Sequence, residues 1–225
     1  MDAKSISELL AHTPRLTSFR YGHAAKHHGL GAYWDAGEFV AVVEKQMGHQ
    51  LRHLAITIEP GAINGIDAGV TSMHGFTQLE TLEIDFMVFC GPSLESGEKS
   101  GILNTPPKQG YSKWTAKSIP PIHRILPTTL RGLDLFVEET TALIYLTSSY
   151  RSICSSGFAH LLHFMVHVRS EPISSQNHAP IRDLVSLFEH FDRQGIKYRL
   201  DRGAMPPVSD SMNYFSLQSS NFFDS

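Results

Sequence analysis

A chain of 225 residues can bury one core of ordinary size, as a single globular body or as one run of stacked repeats. With 19 Lys and Arg against 22 Asp and Glu, the formal charge of -3 and a pI near 6.5 give no overall attraction to nucleic acid or to an anionic membrane. The first residues hold no apolar leader, no window reaches the roughly 18 apolar residues of a membrane span, and two cysteines are too few for a disulfide framework, so an intracellular protein with reduced thiols is expected.

From the N-terminus, Leu9 and Leu10 stand ahead of Thr13-Pro14, which predicts a short helix ending near the proline and a strand around 17–21. The stretch from His23 to Trp34 contains His27, His28, Gly29 and Gly31 without periodicity and reads as a loop. Asp35 is placed as an N-cap, with Glu38 three residues later in a capping-box-like arrangement. Phe39, Val40, Val42, Val43 and Met47 then fall at helical spacing, predicting a helix over 35–47 that stops at Gly48. Leu51-x-x-Leu54-x-Ile56-x-Ile58 follows as a strand over 53–58, and Pro60 with Gly61, Gly65 and Gly69 reads as a loop. Leu79-x-x-Leu82-x-Ile84-x-Phe86 predicts the next strand, over 81–86.

Beyond Cys90 the pattern fails, and Ser, Gly, Lys and Pro dominate an insertion at about 91–118 that carries Tyr111 and Trp114. A short helix before Pro127 leads to strand 132–137, and the next apolar strand is placed at 163–168. Pro180 opens a helix over 180–194 with Gly195 as its stop, and Ile196-x-Tyr198-x-Leu200 is a degenerate last strand. Residues 201–225 read as a C-terminal tail.

The unit L-x-x-L-x-L recurs at Leu51, Leu79, Leu130 and Leu161, as Leu161-x-x-Phe164-x-Val166 in the last case, and less clearly at Leu16-x-x-Phe19-x-Tyr21. This is the opening of a leucine-rich repeat. Side chains alternate along a strand, so Leu82 and Ile84 point to one face while Thr81, Glu83 and Asp85 point to the other. Strands that return through an intervening helix or loop pair in parallel. The expected fold is therefore α/β: an irregular leucine-rich-repeat solenoid over 1–200, its parallel sheet on the concave side and its helices and loops on the convex side.

Tyr33-Trp34-Asp35-Ala36-Gly37-Glu38-Phe39 through Leu51-Arg52-His53-Leu54, then Phe76, Leu79 and Leu82, then Ile122-x-x-Ile125-Leu126-Pro127-x-x-Leu130-x-x-Leu133, together resemble the leucine-rich-repeat half of fungal F-box proteins. The likeness spans roughly residues 10 to 200. It implies a repeat surface that holds a substrate for a ubiquitin ligase. The chain opens directly on a repeat-like segment, so no F-box is expected ahead of it and docking to a Skp1-type adaptor is not implied. The buried Asn or Cys of the longer repeat consensus is also missing: Glu59, Met87, Glu138 and Arg169 stand there, which implies irregular turns.

The outward rows of the predicted strands are the candidate binding surface. They bring Arg20, His53, Thr57 and Thr81 together with Glu83, Asp85, Asp134, Phe136, His163, Met165 and His167, then Lys197 and Arg199. Phe136 and Met165, framed by charge, have the composition of an interaction surface, and a protein partner is expected across them with a basic segment over Asp85 and Asp134. Of the 13 histidines, His23, His27 and His28 lie close in sequence, while His160, His163 and His167 look helical in spacing but fall on a predicted strand and its turn. No paired metal-ligand spacing, phosphate-binding glycine motif or nucleophile motif accompanies them. The reading is a non-catalytic protein-interaction scaffold without cofactor, nucleic acid or membrane partner. Its alternatives are a histidine-dependent metal-binding hydrolase and a degenerate family member without a binding function.

Overall fold

The computed structural model describes residues 3–24, 32–59, 63–89, 122–137, 160–168, 189, 192–193 and 197–202. Within them the chain is α/β. Helix α1 (Ala3–Ala11) leads to strand β1 (Ser18–His23), then β2 (Ala32–Asp35), helix α2 (Ala36–Met47), β3 (His53–Ile58), β4 (Ile63–Ala68), β5 (Thr81–Asp85), β6 (Gly132–Val137), β7 (His163–Val168) and β8 (Lys197–Arg202). A six-stranded sheet has the order β1-β3-β5-β6-β7-β8, and every neighbouring pair is parallel. The predicted strands thus lie side by side in chain order.

A repeated backbone contact sets where each strand begins. The Thr17 carbonyl accepts from the N–H groups of both Arg52 and His53, at 2.8 and 3.1 Å. Arg52 O then accepts from Glu80 and Thr81, Glu80 O from Arg131 and Gly132, and Arg131 O from Leu162 and His163, each at 2.8 and 3.0 Å. The acceptor is always the second residue of the L-x-x-L-x-L unit, and its donors are the second and third residues of the next. Each strand is thereby started at the same height as its predecessor, so equivalent residues align across the sheet: Leu54 with Leu82, Leu82 with Leu133, Leu133 with Phe164.

That alignment stacks the apolar positions into one core. Leu51, Leu79 and Leu130 have no exposed surface, and Leu54, Ile56, Leu82, Ile84, Leu133, Leu135, Phe164 and Val166 lie behind them. Helix α2 covers this face with Phe39, Val40, Val43 and Met47, and α1 adds Ile6 and Leu10. As expected, Asp35 caps α2, its side chain accepting from the Glu38 N–H at 2.7 Å. Gly48 ends the helix, but in right-handed conformation (φ -56°, ψ -30°). Its reason is space: a Cβ there would stand 2.5 Å from the Gly75 carbonyl oxygen, and Thr77 N–H donates to Gly48 O at 3.0 Å. The end of α2 is thus held against the turn that launches β5.

Three expectations are corrected. The two stretches read as loops, His23 to Trp34 and Pro60 to Gly69, contain β2 and β4, which pair in parallel as a second, two-stranded sheet. Register shifts on either side of Tyr33-Trp34 break the alternation that marks a strand in sequence, yet Trp34 and Ile66 are buried. Strand β5 ends at Asp85, and Phe86 begins a 3-10 turn (Phe86–Phe89) rather than closing the strand. The last strand runs to Arg202, so Asp201 and Arg202 belong to the sheet and not to the tail. The 91–118 insertion and the rest of the 203–225 tail lie outside the described residues. So does most of the 180–194 helix, of which Glu189, Asp192 and Arg193 are described and helical.

The stack makes a direct energetic prediction. Leu82→Ala and Leu133→Ala each remove a side chain with at most 1% exposure from a packed core and should cost about 2–5 kcal/mol. Glu83→Ala, on the opposite face of the same strand, should cost no more than about 1 kcal/mol. Urea denaturation of the three variants checks the assignment, and similar midpoints would contradict it.

Candidate protein-binding face

The face of the large sheet turned away from α1 and α2 is built from every second strand residue. Because the strands share one register, its side chains fall into rows. One row runs Ser18, His53, Thr81, Gly132, His163, Lys197, and the next Arg20, Ala55, Glu83, Asp134, Met165, Arg199. A third pairs Gly22 with Thr57, and Asp85, Phe136, His167 and Asp201 with one another.

Small residues in these rows let larger ones meet. Ala55 lies between Arg20 and Glu83, and over its methyl group the Arg20 guanidinium reaches two strands to both Glu83 oxygens, at 2.8 and 2.7 Å. Gly132 lies between Thr81 and His163, and a Cβ there would be 3.3 Å from the Thr81 methyl. Over this gap His163 leans diagonally to Asp134, with Nε2 to Oδ1 at 3.0 Å. His53 Nδ1 is hydrogen-bonded to Thr81 Oγ1. On the rim of the same sheet, Arg52 and Glu80 form a looser pair at 3.6 Å.

Of the residues expected to form the surface, Glu83, Asp134, His163, Met165 and His167 are half-buried on this face, and Arg20 and His53 are exposed. Two are not available to a partner. Asp85 is 1% exposed: at the end of β5 its carboxylate accepts from the Met87 N–H at 3.1 Å and caps the 3-10 turn that follows. Phe136 is 7% exposed, because His167, its register partner on β7, stacks on it at 4.6 Å with 13° between the rings. Lys197 and Arg199 hold register positions on β8. Two carboxylates of this face are met within the protein, since Glu83 is paired with Arg20 and Asp134 faces His163. The sequence held a signal for the first pairing: a small residue at the position between an Arg and a Glu on three consecutive strands.

The histidines separate by environment. His163 and His167 lie on the outward face of β7, with His160 exposed in the turn before it. Among the described residues, no group of three or more His, Cys, Asp and Glu side chains converges as a metal site would. His23, at the end of β1, belongs to an aromatic cluster. Its ring stacks on Trp34 at 4.4 Å, its Nδ1 is 3.1 Å from the Tyr21 hydroxyl, and Tyr21 in turn lies 4.4 Å from Phe39. Burial lowers the His23 pKa from 6.5 to about 4 and raises that of Tyr21, so both are neutral at pH 7.

The sign of the resulting pH dependence follows. Between 6.5 and about 4 the unfolded chain binds a proton at His23 that the folded chain does not, so stability falls as pH falls through that window. Above 6.5 the residue contributes no slope. His23→Gln should therefore lose less stability than the parent when denaturation midpoints are compared at about pH 7 and about pH 5. Equal losses would remove His23 as the cause.

The Arg20–Glu83 pair is exposed enough for water to screen it, and a double-mutant cycle with Arg20→Ala and Glu83→Ala should give a coupling of about 0–1 kcal/mol. Among the described residues, no helix is long and apolar enough to cross a membrane. No family model matches the sequence. No curated protein and no solved structure matches it either.

Proposed function

We propose that this chain is a leucine-rich-repeat-like module that binds another protein across the outward face of its large sheet, without catalysis of its own. The carrying observation is the recurrent carbonyl ladder at Thr17, Arg52, Glu80 and Arg131. It makes the five successive L-x-x-L-x-L units equivalent in backbone as well as in sequence, as stacked repeats require. Such an array holds outward side chains on a stiff backbone, so a partner can be bound with little ordering cost in the scaffold.

The chemistry of the face suits a mixed polar partner surface. Arg20, His53, Glu83, Asp134, His163 and Met165 offer donors, acceptors and one adaptable apolar side chain within adjacent rows. In this reading the binding centre lies on β5, β6 and β7, beside Met165 and without Phe136 or Asp85 as direct contacts. The resemblance to the repeat half of F-box proteins extends the proposal to recognition of a ubiquitin-ligase substrate.

Affinity capture from the native host, followed by measured binding of the captured protein, tests the reading. Glu83→Arg combined with Asp134→Arg should weaken that binding at least about tenfold, or about 1.4 kcal/mol, while Glu59→Arg on the sheet margin should not. Unchanged affinity in the double variant would remove this face as the binding site. Co-capture of ligase subunits would support the substrate-recognition role, and a partner with no ligase connection would leave a general binding module.

A further inference from the structure

We infer that two copies of this chain associate through the free edge of β1, in antiparallel pairing about a two-fold axis at Arg20. The inference concerns the rim of the sheet, not its outward face, and does not depend on the proposed function.

The backbone supplies the first part of the argument. The carbonyls of Thr17 and His23 accept hydrogen bonds from the β3 side, from His53 and Glu59. Successive strand residues direct their N–H and C=O groups to opposite sides. Phe19 and Tyr21 therefore face β3, while Ser18, Arg20 and Gly22 aim theirs away from the sheet. Strand β1 stands at the end of the strand order, so among the described residues no strand of the sheet meets them.

The edge also lacks the features that block strand addition. All six β1 residues pair with β3 in unbroken register, with neither proline nor bulge. Ser18 and Gly22 are small. Arg20 carries the one charge of the strand, and its side chain turns inward over Ala55 to Glu83, away from the edge and neutralised.

On the core face, Phe19, Tyr21 and His23 are only half-buried, whereas their interior equivalents Leu54, Ile56 and Ile58 are at most 3% exposed. Apolar surface is left over where the sheet ends.

The sequence selects the occupant. Ser18-Phe19-Arg20-Tyr21-Gly22 is a palindrome of residue types about Arg20: small, aromatic, Arg, aromatic, small. A two-fold axis there sets Arg20 opposite Arg20 of the second copy and Ser18 opposite Gly22, so the outward N–H and C=O groups meet as hydrogen-bonded pairs. Phe19 then faces Tyr21 in the non-hydrogen-bonded pair, where side chains approach most closely. Both aromatic pairs fall on the core face and cover each other. An isologous contact must be self-complementary in this way.

Sedimentation of the full chain at micromolar concentration should give twice the 25.0 kDa of one chain. Gly22→Pro removes an N–H that makes no bond within the sheet, so it should sediment as a monomer with unchanged far-ultraviolet circular dichroism. Arg20→Cys provides a reading independent of that variant's folding. Mild oxidation should link its two copies into a covalent dimer faster than it links the parent, whose thiols are Cys90 and Cys154. A monomeric parent, a folded Gly22→Pro dimer, or crosslinking of Arg20→Cys no faster than the parent would each overturn the inference.

Discussion

The structure depends on one hydrogen-bonding arrangement: a single carbonyl, one residue before β1, β3, β5 and β6, that accepts two N–H groups from the start of the next strand of the sheet. A one-residue slip in a parallel sheet would move every apolar side chain of the slipped strand to the wrong face. Fixing the start of β3, β5, β6 and β7 against the preceding strand of the sheet prevents that slip at the point where it would begin. The leucine that precedes each carbonyl, at 51, 79 and 130, is fully buried beneath the turn and anchors it from the core side. Backbone ladder and leucine stack therefore impose the same register.

From this register both faces follow. On the core side it lines up Leu54, Leu82, Leu133 and Phe164, which share one core with the buried residues of α2. On the other side it sets polar residues in rows, where their pairing is decided by what stands between them. Ala55 permits a salt bridge across two strands, and Gly132 permits a diagonal histidine contact. The small residues of the outward face thus have a function of their own: they determine which charges are satisfied within the protein and which remain for a partner.

The order and direction of the large sheet were legible in the sequence because the period-two apolar pattern follows each leucine at a constant offset. The Asp35 cap was legible for a similar reason, since an acidic residue ahead of a helical apolar run has one favourable use. What was hidden required knowledge of neighbours. Strands β2 and β4 interrupt their own alternation with register shifts, so their short segments look like loops. Alternation placed Asp85 outward, but the backbone turns immediately after it and draws the carboxylate onto Met87. Phe136 does share the outward face, and its burial comes from a ring on another strand, 31 positions later in the chain (167 − 136).

The two edges of a parallel sheet meet a problem that its interior does not, because the ladder supplies each strand with a neighbour only from within. At β1 the core residues change in kind, from the aliphatic side chains of β3 and β5 to Phe19, Tyr21 and His23. Aromatic rings cover more surface per residue, and Tyr21 and His23 keep a polar edge that tolerates water. Together with Trp34 and Phe39 they close the inner corner of the sheet by ring stacking, where an aliphatic strand would leave bare apolar surface. The closure is incomplete, since the rings stay half-exposed and the outer backbone groups point outward. The β1 edge of the sheet thereby combines a polar-tolerant core with an open hydrogen-bonding edge, and these are the two properties a strand needs in order to accept another.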